Sequence, residues 1–159
     1  MKKLLTLLLS LLIIASMFPS AMAEEPTLDN FQTQREYKDQ FTDVKASDWF
    51  YSVVKLGYEI SLIDGTSETS YTPGSNVTLA EILTLASRLN SIFNTGEASF
   101  TQGSPWYQVY VDYADENGFL LPGLNTYTRP ALRGEVAAIL AGALPDSALA
   151  SMNTVEDDA

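Results

Sequence analysis

Phe41-Thr-Asp-Val-Lys-Ala-Ser-Asp-Trp49-Phe50 and Phe100-Thr-Gln-Gly-Ser-Pro-Trp106-Tyr107 are two copies of one pattern. With Trp49 set on Trp106, the residues that follow fall into register without a gap. Val53 meets Tyr110, Leu56 meets Tyr113, Gly57 meets Ala114, and Leu62-Ile63 meet Phe119-Leu120. Further on, Tyr71-Thr72 matches Tyr127-Thr128, and Glu81-Ile82-Leu83 matches Glu135-Val136-Ala137. A repeat of this length is one supersecondary unit that cannot close its own core and packs against copies of itself.

Each copy follows one plan. Ser47 or Ser104 stands where a helix cap belongs, ahead of apolar residues at helical spacing: Trp49, Val53, Leu56 and Ile60, or Trp106, Tyr110, Tyr113 and Asn117. Ser61 and Gly118 occupy the place of a left-handed helix end. A turn follows, at Asp64-Gly65 or Pro122-Gly123. The second helix of the first copy opens on Thr78-Leu-Ala-Glu81, a capping box in which hydroxyl and carboxylate satisfy each other's backbone amides. Its apolar face is Ile82, Leu85, Ala86, Leu89 and Phe93. The second copy reads Leu132-Arg-Gly-Glu135 and loses the reciprocal half of the box; a start one turn earlier, at Thr128, is the alternative. The expected fold is therefore mainly α: tandem helix–loop–helix units whose second helices, beginning near Thr78 and near Leu132, pack into a bundle. The connections inside each unit are long, and loops of that length are often functional.

Residues 1–23 read as a signal peptide, with Lys2 and Lys3 before an apolar stretch and Ala21-Met22-Ala23 as the cleavage site. The apolar stretch is shorter than a spanning helix needs, so the mature chain is expected to be exported without membrane insertion. Residues 24–40 form a polar lead-in with isolated Leu28, Phe31 and Tyr37, residues 41–94 the first unit, 95–144 the second, and 145–159 a linker. After cleavage, seven basic residues face twenty acidic ones, a net charge of −13. Such a surface repels nucleic acid and anionic lipid, so an anionic polymer would have to be held by a few placed cations. Neither cysteine nor histidine is present, which removes disulfides, thiolate chemistry, histidine triads and the common zinc sites.

The ordered set Phe41-Thr-Asp-Val44, Trp49-Phe50, Leu62-Ile-Asp-Gly65, Tyr71-Thr-Pro73 and Thr78-Leu-Ala-Glu81 resembles the S-layer homology repeat. The second copy contributes Trp106-Tyr107, Gly118-Phe-Leu120 and Leu132-Arg-Gly-Glu135. The resemblance implies a non-catalytic module without a cofactor, located at the bacterial cell wall or surface. It implies three repeats in a pseudo-threefold unit whose grooves bind secondary cell-wall polysaccharides, commonly pyruvylated. Only two repeats are visible, and the stretch after Leu144 reads as a linker before a third, which favours a partial chain. The motif arginine is Arg133 in the second copy but Leu79 in the first, so a planar fork for a carboxylate is kept in one groove and lost in the other.

The resemblance points to Arg133, Trp49, Trp106, Asp48, Gly65 and Gly123 as glycan-binding residues. Each has a plainer reading. Trp49 and Trp106 lie on the apolar stripes, which points to the core rather than to sugar. Arg133 is otherwise a solvated first-turn side chain, and Asp64-Gly65 and Gly123 are otherwise turns, with no spaced oxygen ligands for calcium. Thr78, Glu81 and Glu135 are helix-capping residues, Glu135 without a threonine partner. The alternatives to a wall-binding module are a structural or assembly module without glycan binding, and a glycosidase using two carboxylates. The carboxylates best placed for the latter, Glu81 and Glu135, are committed to helix starts.

Overall fold

The computed structural model describes residues 26–149, so the signal peptide and the acidic stretch from Glu156 to Asp158 lie outside the described residues. Four α-helices follow one another: α1 (Tyr51–Glu59), α2 (Leu79–Thr95), α3 (Gln108–Glu116) and α4 (Arg133–Gly142). Single 3-10 turns lie at Leu28–Asn30 and Asp146–Ala148. Among the described residues there is no strand; pairing is limited to isolated bridges between Ser67 and Ser70 and between Thr78 and Pro130. The fold is mainly α, as the repeat predicts.

The central element is α2. Its start is the expected capping box: Thr78 N–H donates to Glu81 Oε2 at 2.7 Å, and Glu81 N–H donates to Thr78 Oγ1 at 3.3 Å. It ends at Gly96, whose positive φ of 77° lets its amide reach the Ile92 carbonyl. Leu79, Leu83 and Ala86 of α2 join Ala114, Phe119 and Ile139 in the main core. Burying one such leucine contributes about 1.5–3 kcal/mol. Both α3 and α4 pack against α2. Asn90 ties the three together, accepting from Tyr113 Oη at 2.8 Å and donating to the Ala143 carbonyl at 2.9 Å. The two second helices, α2 and α4, therefore pack on each other as expected.

In contrast, α1 has no comparable packing against another helix. Its Val54 sits in a separate small core with Tyr37, Phe41 and Val44. The polar lead-in is thus part of the fold: Tyr37 is buried, and Thr27 N–H and Gln34 N–H donate to the carbonyls of Phe93 and Glu59. The Asp43 carboxylate closes this unit by accepting from Tyr71 N–H at 2.9 Å, Thr72 N–H at 2.7 Å and Ser70 Oγ at 2.8 Å. Those donors, the Tyr71 amide foremost, outweigh its desolvation and hold its pKa below the ordinary value.

Two local expectations are corrected. The caps at Ser47 and Ser104 are not used: α1 and α3 begin after Phe50 and Tyr107, which carry no side-chain cap. The chain enters α1 through tight turns, with Asp48 N–H donating to the Lys45 carbonyl and Lys45 N–H to Asp48 Oδ2. The early start at Thr128 fails as well, because Pro130 is taken up in the bridge to Thr78 and α4 opens at Arg133. Both left-handed helix ends are present, at Ser61 (φ 61°) and Gly118 (φ 78°).

Candidate binding site at the seam between the units

The second unit's loop runs alongside the start of α2. Leu79 N–H donates to the Arg129 carbonyl at 3.1 Å, Ala80 N–H to the Tyr127 carbonyl at 2.8 Å, and Ala131 N–H to the Val77 carbonyl at 2.9 Å. This satisfies first-turn amides that a helix leaves open and fixes where α4 begins. Arg129 then pairs with Glu135 through both terminal nitrogens, Nη1 at 2.9 Å. Glu135 also accepts from Leu132 N–H at 2.8 Å, half of a capping box, since leucine has no acceptor to return the bond. The Arg129 guanidinium, with the Leu132 amide, lowers the Glu135 pKa from 4.5 to about 2.

Arg133 opens α4 with its side chain exposed. Of the four arginines, Arg35 and Arg88 are ion-paired with Asp64 and Arg129 with Glu135. Two lysines are paired as well, Lys38 with Glu36 and Lys55 with Glu59. Arg133 and Lys45 are the cations among the described residues left without a carboxylate.

The other sequence-predicted residues are dispersed. Trp49 is 89% exposed, with only its edge contact to Phe50, while Trp106 is 43% exposed and packs edge-on to Tyr107 and Tyr110. The reading of Trp49 as core is therefore wrong. The stripe Trp49, Val53 and Leu56 faces out because the small core lies on the adjoining face of α1, at Val54 and Gly57. Asp48 closes the turn before α1. Gly65 (φ 82°) passes so close to the Phe41 ring that a Cβ there would come within 2.5 Å of it, whereas Gly123 (φ 81°) has open space around it. No hydrogen bond or ring contact joins any two of Arg133, Trp49, Trp106, Asp48, Gly65 and Gly123 among the described residues. Leu79 is fully buried in the main core, so that position of the first unit is packing and not groove wall.

Sequence reading missed a second charged centre. Asp64 receives Arg35, 2.7 Å away, from the lead-in and Arg88 from α2. Desolvation raises the Asp64 pKa, but the two guanidiniums outweigh it and the net shift is downward. Arg35 also lies over the Tyr58 ring at 3.7 Å. The available signal was an arginine on an otherwise apolar helix, which needs a partner. A cleft of about 540 Å³ is lined by Phe100, Ser104, Gln108, Asp112, Tyr113 and Glu116 among others, and its carboxylates suit no anionic ligand. No group of three metal-ligating side chains occurs among the described residues, and no helix there is long and apolar enough to cross a membrane.

The family model of the S-layer homology domain matches residues 40–83, from the lead-in's end through α1 into α2. Over that stretch the chain is similar to the S-layer homology domain. Such domains are in general anchoring modules of the cell surface. An endoglucanase of Bacillus sp. (strain KSM-635) is 30% identical over 126 residues, covering 78% of this chain and 13% of that protein. The amylopullulanase of Thermoanaerobacterium thermosulfurigenes is 28% identical over 123 residues, covering 70% and 7%. The surface-layer 125 kDa protein of Lysinibacillus sphaericus is 29% identical over 84 residues, covering 50% and 7%. The chain thus spans between 7% and 13% of the length of the curated relatives it matches. No solved structure matches it.

Proposed function

We propose that this chain is a non-catalytic module that holds an exported protein at the bacterial wall by binding an anionic secondary cell-wall polysaccharide. Two units, 41–94 and 95–144, make up the module, and Arg133 supplies the cation that meets the polymer's carboxylates. The observation that carries this reading is the pairing pattern: among the described residues Arg133 is the one arginine with no carboxylate partner, and it is exposed in a chain similar to a family that anchors surface proteins. A planar guanidinium binds both oxygens of a carboxylate, and on so acidic a surface general attraction cannot replace it. Trp49 and Trp106 offer exposed ring surface for sugar. The glutamates a glycosidase would need are engaged, Glu81 with Thr78 and Glu135 with Arg129. A second reading, a structural module without glycan binding, is favoured by Leu79, which occupies the first unit's arginine position and is sealed in the core. Co-sedimentation with wall sacculi, before and after extraction of the secondary polymer, separates the two. Retention only on unextracted walls is the expected result, and equal retention on both preparations contradicts polymer binding.

A further inference from the structure

One pair of helix positions carries opposite chemistry in the two units. In α1, Lys55 Nζ lies 3.9 Å from Glu59 Oε1, a lysine ammonium on a carboxylate one turn away. In the register of the repeat, Asp112 stands where Lys55 does and Glu116 where Glu59 does. The second unit thus keeps the carboxylate and sets another carboxylate in the place of its cation. Neither Asp112 nor Glu116 belongs to an ion pair among the described residues. The Asp112 carboxylate accepts from a neutral amide, Gln108 Nε2, at 2.7 Å. Like charges one turn apart oppose the helix that carries them, and a cation held between them relieves the repulsion.

Both carboxylates line the cleft of about 540 Å³ beside α3. Its walls are Ser91 near the end of α2, the stretch 99–104 and one side of α3, so the cleft is complete within the described residues. Phe100 and Tyr113 meet there edge to face, with ring centroids 5.1 Å apart, and Tyr113 is held by its bond to Asn90. A smaller cleft of about 220 Å³ shares Ser99 with it and adds Glu97. Every charged residue lining the two clefts is acidic. Ser91 lies roughly 18 Å along α2 from Leu79, so this groove is well away from the seam that carries Arg133.

We propose that the groove binds a peptide through the ammonium of a lysine side chain. The ammonium is held between Asp112 and Glu116, as Lys55 is held on Glu59. The aliphatic stem lies in the corner of Phe100 and Tyr113, where the rings favour both the stem and the charge. The exposed hydroxyls of Ser99, Thr101 and Ser104 meet the peptide backbone, which continues past Ser99 into the smaller cleft. A compact ammonium with three donors serves two separate carboxylates, whereas a planar guanidinium fork suits one. Exposed pairs of this kind contribute little each, so the affinity is on the order of millimolar.

The test is a proton–nitrogen NMR titration of the exported chain with a capped glycine–lysine–glycine peptide. Peptides with norleucine or Nε-acetyl-lysine in the central place, and glucosamine, serve as the other arms. The expected result is saturable shifts at the amides of Phe100, Thr101, Asp112 and Glu116 with the lysine peptide, weakened by salt, and none with the two uncharged peptides. Glu116→Gln and Asp112→Asn, both at exposed positions, should each weaken binding about two- to fivefold with helicity kept. Absence of shifts into the tens of millimolar overturns the proposal, as do equal shifts with the norleucine peptide or shifts confined to other residues. An equal response to glucosamine overturns the lysine assignment in favour of an amino sugar. None of these outcomes touches the reading of Arg133, which concerns another surface.

Discussion

In the first unit, Phe41, Val44 and Val54 close a small core with Tyr37, and Asp43 gathers Ser70, Tyr71 and Thr72 around one carboxylate. In the second unit, Gln102 stands where Asp43 does and donates only to Tyr110 Oη, at 3.3 Å. The second unit is held instead by its neighbour, through Tyr110 and Tyr113 on α2 and through the loop amide and carbonyls that bond the start of α2. One pattern thus yields a unit closed by its own side chains and a unit closed by contact. The difference shows that the repeat specifies the helices, while neighbours decide which faces of them are buried.

The sharpest way to break this comparison is to exchange the counterparts Leu79 and Arg133. Leu79→Arg places an unpaired guanidinium in the main core and should cost about 4 kcal/mol or more. Arg133→Leu, at an exposed site, should leave stability nearly unchanged. Urea unfolding of the two variants decides; similar midpoints would mean that the two positions do not differ in burial as described.

The paired turns give the next largest effect. Gly65 and Gly123 share a left-handed φ, so alanine at either should cost roughly 1–2 kcal/mol of backbone strain. At Gly65 the Cβ also meets Phe41 and the Ser70 carbonyl, which should bring the total to about 3 kcal/mol or more. Equal losses for the two alanine variants in the same unfolding experiment would remove the close approach at Phe41.

How far the sequence carried is clearest at the helices themselves. The start of α2 was legible because a capping box is a local device whose residues satisfy one another, and the left-handed ends at Ser61 and Gly118 were legible for the same reason. The outward face of α1 was not. Trp49, Val53 and Leu56 have the spacing of a buried stripe, yet Val54 and Gly57 lie just as regularly on the adjoining face. Only Tyr37 of the lead-in and Phe41 at the start of the unit, distant in local pattern, settle which face turns inward. In the second copy the stripe turns inward only at Tyr110 and Tyr113, which lie against α2, while Trp106 and Asn117 stay exposed. At the site, Arg133 could be picked out by motif, but its freedom from a partner could not, since the ion pairs of Arg35, Arg88 and Arg129 depend on loops meeting in space.

Smaller effects sharpen the comparison of the two helix starts. Thr78→Ala removes a complete capping box and should lower stability by about 1 kcal/mol. Leu132→Thr should raise it by a smaller amount, because Glu135 already supplies the other half of that box. Thermal melts of the pair check this, and an unchanged midpoint for Thr78→Ala would misplace the start of α2.

Acid should act on the second start through Glu135. Its pKa falls from 4.5 to about 2 on folding, so its contribution is full above the higher value and lost as pH drops toward the lower one. Asp43 and Asp64 are shifted in the same direction and add to the same acid limb. Glu135→Gln should therefore flatten the fall in melting midpoint across that window. An acid limb as steep as the parent's would show that the Arg129 pair does not couple to folding.

The most direct test of wall anchoring through Arg133 is calorimetric titration of the purified anionic wall polymer into the parent, Arg133→Ala and Arg133→Lys. A charge-assisted contact contributes on the order of 1.5–3 kcal/mol, so alanine should weaken binding roughly ten- to a hundredfold, and lysine should restore it only in part because an ammonium is not a planar fork. Alanine and parent chains that bind with the same affinity would contradict the assignment of Arg133 as the cation that holds the polymer.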